Sequence, residues 1–174
     1  IIFNLSSDTF DILGIPYKNI QEIDIKYLKK SIKKFVGNYH QKIPLYSSYK
    51  FKGKPLFHYA RLNQEVEQPE TNVLIKKIKI NKIYHIASKK LLKLIINKIN
   101  KVVGDFRQEL IKDNWNILLK NEIHNFLIVD VTIDCSSGTY IRAIANDVGK
   151  EFGGGIILSL KRTRVGTYNV RDSL

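Results

Sequence analysis

Cysteine is nearly absent from this chain. Cys135 is the only one, which excludes an intrachain disulfide and a cysteine-built zinc site. His40, His58, His85 and His124 are scattered without ligand spacing, so each reads as surface or core filler and no metal is expected. No apolar run reaches the roughly 18 residues that a membrane-spanning helix needs, and no charged-then-apolar signal segment opens the chain. A membrane is therefore not expected as a partner. Methionine is missing altogether. A chain that starts Ile1-Ile2-Phe3 is expected to begin inside a longer protein, with any upstream chemistry outside it. Acidic residues are also scarce: 16 Asp and Glu stand against 29 Lys and Arg, a net charge of +13. That excess points to a polyanion, most often nucleic acid. The frequent Lys, Ile and Asn residues also fit AT-rich coding, so charge alone decides little.

What is present describes one domain. A length of 174 residues is enough for a real core, and 44% hydrophobic with 26% charged residues is ordinary for a globular protein. Residues 1–20 read as strand, turn and strand. Asp24 reads as the N-cap of a helix carrying Ile25, Leu28, Ile32, Phe35 and Val36 on one face, with Gly37 as its stop. Residues 44–71 form a long polar and aromatic excursion with little periodicity, which marks a functional loop. Val73 to Ile83 alternates as a strand with a bulge. Ser88 reads as the cap of a helix from Leu91 to Val103, ended by Gly104. Residues 105–124 are charged and poorly patterned. A core strand over 125–135 precedes a helix running to Phe152. Gly153-Gly154-Gly155 then breaks the chain, and a last short strand follows over Thr167–Val170. The sum is a mixed α/β domain without internal repeats.

The segment Cys135-Ser136-Ser137-Gly138-Thr139-Tyr140-Ile141-Arg142 is the most informative stretch. It turns from an alternating strand into a helix whose stripe is Ile141, Ile144, Ala145 and Val148. An arginine in the first turn of a helix is not placed there by the macrodipole, which prefers anions at that end. It is either a surface residue after a tight turn or a residue with a task. The excursion over 44–71 interleaves tyrosines with lysines and arginines, which suits looped RNA because rings stack on bases and cations meet phosphates. It also suits a small aromatic core with a basic rim, and the two readings are compatible.

Four segments in order resemble the bacterial-type tRNA pseudouridine synthases that act on the T-loop uridine, the TruB family. Ser7-Asp8-Thr9-Phe10-Asp11-Ile12-Leu13-Gly14 is similar to that family's Thr-Asp-Thr-x-Asp-x-x-Gly. Pro44-Leu45-Tyr46-Ser47-Ser48-Tyr49-Lys50, through Gly53-Lys54 to Tyr59-Ala60-Arg61, resembles its Pro-x-Tyr-Ser-Ala-x-Lys … Gly-x-x-Leu-Tyr … Ala-Arg. Cys135 to Arg142 is similar to Cys-Ser-Lys-Gly-Thr-Tyr-Ile-Arg, and Leu158 to Gly166 to Leu-x-x-Leu-Arg-Arg-Thr-Arg-Val-Gly. Ser48 and Ser137 depart from the family's Ala and Lys. Residues from about 84 to 124 look like a family-atypical insertion. The catalytic Gly-x-Leu-Asp-Pro motif and the base-stacking tyrosine are expected upstream of Ile1, and the family's PUA-type RNA-binding domain is expected to lie outside these residues.

The resemblance implies an α+β fold, a mainly antiparallel sheet with flanking helices, with residues 1–174 forming part of a pseudouridine synthase catalytic domain. It implies an isomerase that needs no cofactor. The N1–C1′ bond of uridine breaks, the uracil turns and it rejoins through C5, after the base has left its stack. Arg142 would hold the catalytic aspartate by a forked hydrogen bond, and Asp11 would complete that network from the other side. Tyr140 would line the pocket and Leu160 would press on the base. Asp11 could instead be a turn-capping residue, and Leu160 plain core. Tyr46, Lys50, Lys54, Arg61, Lys161, Arg162 and Arg164 are the candidates for gripping the tRNA T-arm, whereas the lysines of the inserted helix (Lys89, Lys90, Lys93, Lys98, Lys101) read as a solvated face. Expected partners are tRNA and the missing N-terminal part of the same catalytic domain, in an intracellular setting, cytoplasmic or organellar. Alone, the chain is expected to be inactive. A guide-RNA-dependent dyskerin-type synthase and a non-catalytic RNA-binding module are the alternatives.

Overall fold

The computed structural model describes residues 1–104 and 106–170. In chain order they form β1 (Ile2–Phe3), β2 (Leu5–Ser7), β3 (Pro16–Lys18), α1 (Ile25–Lys33), β4 (Gly37–Lys42), β5 (Lys50–Phe51), β6 (Lys54–Pro55) and α2 (Leu56–Arg61). There follow β7 (Glu70–Ala87), α3 (Ser88–Ile99), α4 (Gln108–Leu119), β8 (Asn125–Cys135), α5 (Ile141–Gly149), β9 (Gly155–Ile156), β10 (Arg164–Val165) and β11 (Tyr168–Asn169). The main sheet has the order β4-β7-β8-β1-β9 and is antiparallel at every pairing.

The sequence of β8 shows why the sheet lies between two helical layers. Successive strand side chains point to opposite faces. Phe126 and Ile128 enter a core with Leu91, Ile95 and Ile99 of α3 and Ile111, Trp115 and Leu119 of α4. Leu127 and Val129 enter the opposite core with Leu28 and Ile32 of α1 and Ile144 and Val148 of α5. Beyond Val129 the first face is uncovered, and Asp130 and Thr132 occupy it in solvent. β7 must keep step with this pattern over 18 residues. Its apolar residues Ile75, Ile78, Ile80 and Ile83 do not share one parity, yet all face the α1–α5 side. Two register shifts, between Ile75 and Lys77 and between Ile80 and Lys82, restore the phase, so that they pair with Cys135, Ile133, Val131 and Val129.

Several element ends differ from the sequence expectation. Asp24 does cap α1, accepting from the amides of Lys26 and Tyr27. The helix stops at Lys33, however, and Gly37 (φ 114°) opens β4. Ser88 is the first residue of α3 and not its cap: its hydroxyl donates to the carbonyls of Glu122 (2.5 Å) and His124 (2.8 Å), tying the start of α3 to the start of β8. α3 ends at Ile99, well before Gly104. The charged stretch after it contains a full helix, α4, which the sequence reading left unassigned. α5 ends at Gly149 and not at Phe152. The last strand narrows to Tyr168–Asn169, paired with Arg164–Val165. The excursion over 44–71 carries a tight hairpin (β5–β6) and α2 before it enters β7.

Candidate active site

Asp11 is presented by a loop that the preceding residues fold tightly. β2 and β3 pair as Ser7 with Pro16, so the loop between them must close within a few residues. Phe10 takes a left-handed conformation (φ 63°), and the Ser7 hydroxyl donates to the Asp11 carbonyl at 2.6 Å. Gly14 is required by its neighbours: a Cβ there would fall 2.2 Å from Asp8 Oδ1 and 2.4 Å from Thr9 Oγ1. The Asp11 carboxylate is fixed by three donors. Oδ1 accepts from Thr9 Oγ1 (2.7 Å) and the Leu13 amide (2.9 Å), and Oδ2 from Arg142 Nη1 (3.1 Å). Asp11 therefore both caps its own turn through Leu13 and pairs with Arg142.

Arg142 arrives from the other side, in the first turn of α5. Gln41, fully buried at the end of β4, accepts from the Tyr140 amide at 2.8 Å and so positions the residue before that helix. The guanidinium donates through Nη1 to the Thr9 carbonyl (2.9 Å) as well as to Asp11, and through Nη2 to the Tyr46 carbonyl (3.1 Å). The side chains of Arg142 and Asp11 are 23% and 18% exposed, so the pair is sheltered but reachable. A guanidinium carries five N–H groups. Its Nε–H and the second Nη2–H meet no acceptor among the described residues. An arginine held at one edge by a carboxylate and two carbonyls can present its other edge to a second carboxylate as a fixed fork, which an ammonium group cannot do.

Tyr46, expected on the RNA-gripping excursion, lies at this site. Its carbonyl is bound by Arg142, and its ring lies 5.0 Å beneath the Arg107 guanidinium. Burial pushes its phenol above the ordinary value, the Asp8 carboxylate adds to that, and Arg107 opposes it. Lys50, Lys54 and Arg61 project into solvent from the adjacent hairpin and α2, with Arg61 also over the Phe57 ring at 5.4 Å. α2 is folded back onto the Tyr46 segment through Leu56 N to the Tyr49 carbonyl (2.8 Å) and Phe57 N to the Ser47 carbonyl (3.1 Å). The structure thus brings Arg142, Asp11 and Tyr46 together, with the basic hairpin next in the chain.

Tyr140 stands at the N-terminus of α5, half-buried. Leu160 is 60% exposed, which removes the plain-core reading; it follows by three residues Ile157, which forms a parallel bridge with Asp11. Lys161, Arg162 and Arg164 are exposed, and Arg164 pairs with Asp134 at 3.4 Å. Lys89, Lys90, Lys93 and Lys101 are exposed on or just beyond α3. Sequence reasoning missed Arg107 and Gln41, both joined to the site across about a hundred residues of chain. The amide acceptor of Gln41 leaves no mark in a sequence. Among the described residues no cluster of His, Cys, Asp and Glu is placed to hold a metal ion, and no helix is long and apolar enough to cross a membrane.

Residues 1–141 match the model of a family described as "TruB family pseudouridylate synthase (N terminal domain)". The chain belongs to the TruB family. The matched span includes the Asp11 loop, the Tyr46 segment and Tyr140, and ends one residue before Arg142. Three relatives share the name tRNA pseudouridine synthase B. The one from Malacoplasma penetrans is 31% identical over 173 residues, which is 98% of this chain and 58% of that protein. The one from Staphylococcus saprophyticus is 32% identical over 167 residues, 95% of this chain and 43% of that protein. The one from Fusobacterium nucleatum is 29% identical over 167 residues, 95% of this chain and 44% of that protein. The chain thus spans about half the length of these TruB relatives, with the mixed, antiparallel α+β architecture of a pseudouridine synthase domain.

Proposed function

We propose that the protein is a tRNA pseudouridine synthase that isomerises the T-loop uridine without a guide RNA or a cofactor. The observation that carries this reading is the half-occupied fork of Arg142, held by Asp11 Oδ2 and the carbonyls of Thr9 and Tyr46. The nucleophilic carboxylate that the resemblance calls for belongs to a Gly-x-Leu-Asp-Pro motif, which does not occur in the 174 residues. Supplied by the N-terminal part of the same catalytic domain, that carboxylate would meet the open edge of Arg142. The chain alone would then lack the nucleophile and be inactive. A charged, forked partner keeps a sheltered carboxylate ionised and aimed, and Asp11 balances the arginine charge from behind.

In the reaction the N1–C1′ bond breaks and the C1′–C5 bond forms. The C5 proton leaves and N1 gains one, so no oxidant or second substrate is consumed. Tyr140 and the exposed Leu160 would bound the turning base. Tyr46, Lys50, Lys54, Arg61, Lys161, Arg162 and Arg164 would grip the T-arm, positioning the RNA without reading its sequence. The setting is intracellular, wherever the tRNA is.

The test is Arg142→Lys in the full-length protein, assayed on an unmodified tRNA transcript without any guide RNA. Turnover should fall about a hundredfold or more, the scale for removing a preorganised charge-stabilising donor, while the Kd for tRNA stays within about twofold, because phosphate contacts carry affinity. Equal turnover in the variant and its parent would refute the role of Arg142. RNA binding without isomerisation by the parent would favour a binding module.

A further inference from the structure

The loop carrying Asp11 is gripped from a side that the proposed mechanism does not use. Two residues of the α4 segment, about two helical turns apart, reach it at points flanking Asp11. Trp115, fully buried, donates its indole N–H to the Ile12 carbonyl at 3.1 Å. Arg107, at the N-cap of α4, donates through Nη2 to Asp8 Oδ2 at 3.0 Å. Asp8 in turn accepts from the Ile15 amide at 2.8 Å, closing the far end of the loop. The Arg107 guanidinium also covers the Tyr46 ring at 5.0 Å. Arg107 therefore contacts both segments that supply acceptors to Arg142, residues 8–11 and Tyr46, without touching Arg142 itself.

The backbone of Arg107 bears on this. It sits at φ 67°, left-handed for a residue with a Cβ, a conformation that persists only where the surroundings impose it. Partly exposed ion pairs contribute little to stability. With side chains 36% and 25% exposed, the Arg107–Asp8 pair has its consequence in position: it fixes where the loop stands relative to α5.

We infer that α4 is a clamp on the Asp11 loop, with Arg107 and Trp115 as positioning residues that hold Asp11 and Tyr46 in register with Arg142. This rests on the proposed synthase reading for its consequence in catalysis, but not for the clamp itself.

The experiment uses the full-length protein with Arg107→Ala, Arg107→Lys and Trp115→Phe, the last keeping most of the volume while removing the N–H. Three quantities are read: kcat on tRNA, KM for tRNA, and hydrogen exchange at the Leu13 and Ile15 amides. The clamp predicts that Arg107→Ala lowers kcat about ten- to a hundredfold, as small misplacements of a catalytic group do, with KM unchanged. It also predicts faster exchange at Leu13 and Ile15 while the β8 amides stay protected. Arg107→Lys, which keeps the charge over Tyr46 and beside Asp8, should recover part of both losses, and Trp115→Phe should repeat the pattern. A raised KM with unchanged exchange would overturn the inference and make Arg107 a phosphate contact. No change in any readout would overturn it as well. If the parent forms no pseudouridine, the synthase reading fails, while the exchange measurement still decides the clamp.

Discussion

At the scale of single residues, the site depends on α5 being held against the sheet, because Arg142 rides on its first turn. Tyr39 of β4 does part of this by donating its phenol hydrogen to the Asp147 carboxylate on α5. Burial, chiefly, and the Asp147 bond and charge push the Tyr39 phenol well above its ordinary value. The sign follows from linkage. The folded state keeps a proton that the unfolded chain releases near pH ~10, so the contribution is complete below that pH and is lost as pH rises beyond it. Tyr39→Phe should cost about 1 kcal/mol at neutral pH for the lost hydrogen bond. It should also flatten the fall in the urea midpoint between about pH 9.5 and 11; parallel profiles for variant and parent would show that Tyr39 titrates as in the unfolded chain. Arg142 and Asp11 could be picked out of the sequence because a short segment frames each. Arg107 could not, since nothing local marks an arginine whose partners, Asp8 and Tyr46, are brought to it only by the packing of α4 against the sheet.

At the scale of elements, legibility followed periodicity and its interruptions. β8 was readable end to end because it is apolar on both faces over Phe126–Val129 and then alternates from Asp130 to Cys135, with no break between. β7 was readable as a strand with a bulge, but its two phase shifts and its extension to Ala87 are set by pairing with β8. α4 was lost because its buried stripe, Ile111, Trp115 and Leu119, lies among apolar residues that face solvent, Leu110 at 52% and Ile117 at 83% exposed. In α3 the apolar pattern runs past Ile99 to Val103, yet Val103 is 97% exposed; the helix ends where the core does. The end of α5 has a steric reason instead. A Cβ on Gly149 would fall 2.0 Å from Gly155 N and 2.4 Å from the Gly154 carbonyl carbon, both backbone atoms of the segment that enters β9. Gly149→Ala must therefore part α5 from β9, and overpacking of this kind should cost about 3 kcal/mol in urea unfolding. A loss below about 1 kcal/mol would mean that the two elements can separate without disturbing the core.

For the whole molecule, the question is whether a net charge of +13 acts as a diffuse field or through particular contacts. The structure separates the two, because the basic residues fall in distinct places. Lys50, Lys54 and Arg61 stand on the hairpin and helix that follow Tyr46, whose carbonyl Arg142 binds. Lys89, Lys90 and Lys93 stand exposed on α3, the layer on the opposite face of the sheet from α5. Changing either trio to alanine lowers the net charge by the same three units, so a diffuse field predicts the same loss of tRNA affinity for both. Contacts predict a difference. Each phosphate contact contributes about 0.7 to 0.9 to the slope of log K against log salt. The trio Lys50, Lys54 and Arg61 should therefore reduce that slope by about 2 to 2.7 and weaken all RNAs alike, with turnover at saturating tRNA retained. The α3 trio should leave the slope near that of the parent. Titrations of the full-length protein with tRNA at several salt concentrations measure both. Equal slopes for the two trios would locate the grip outside the hairpin and leave the charge as a steering field, whereas the unequal outcome places the bound RNA at the hairpin that follows Tyr46.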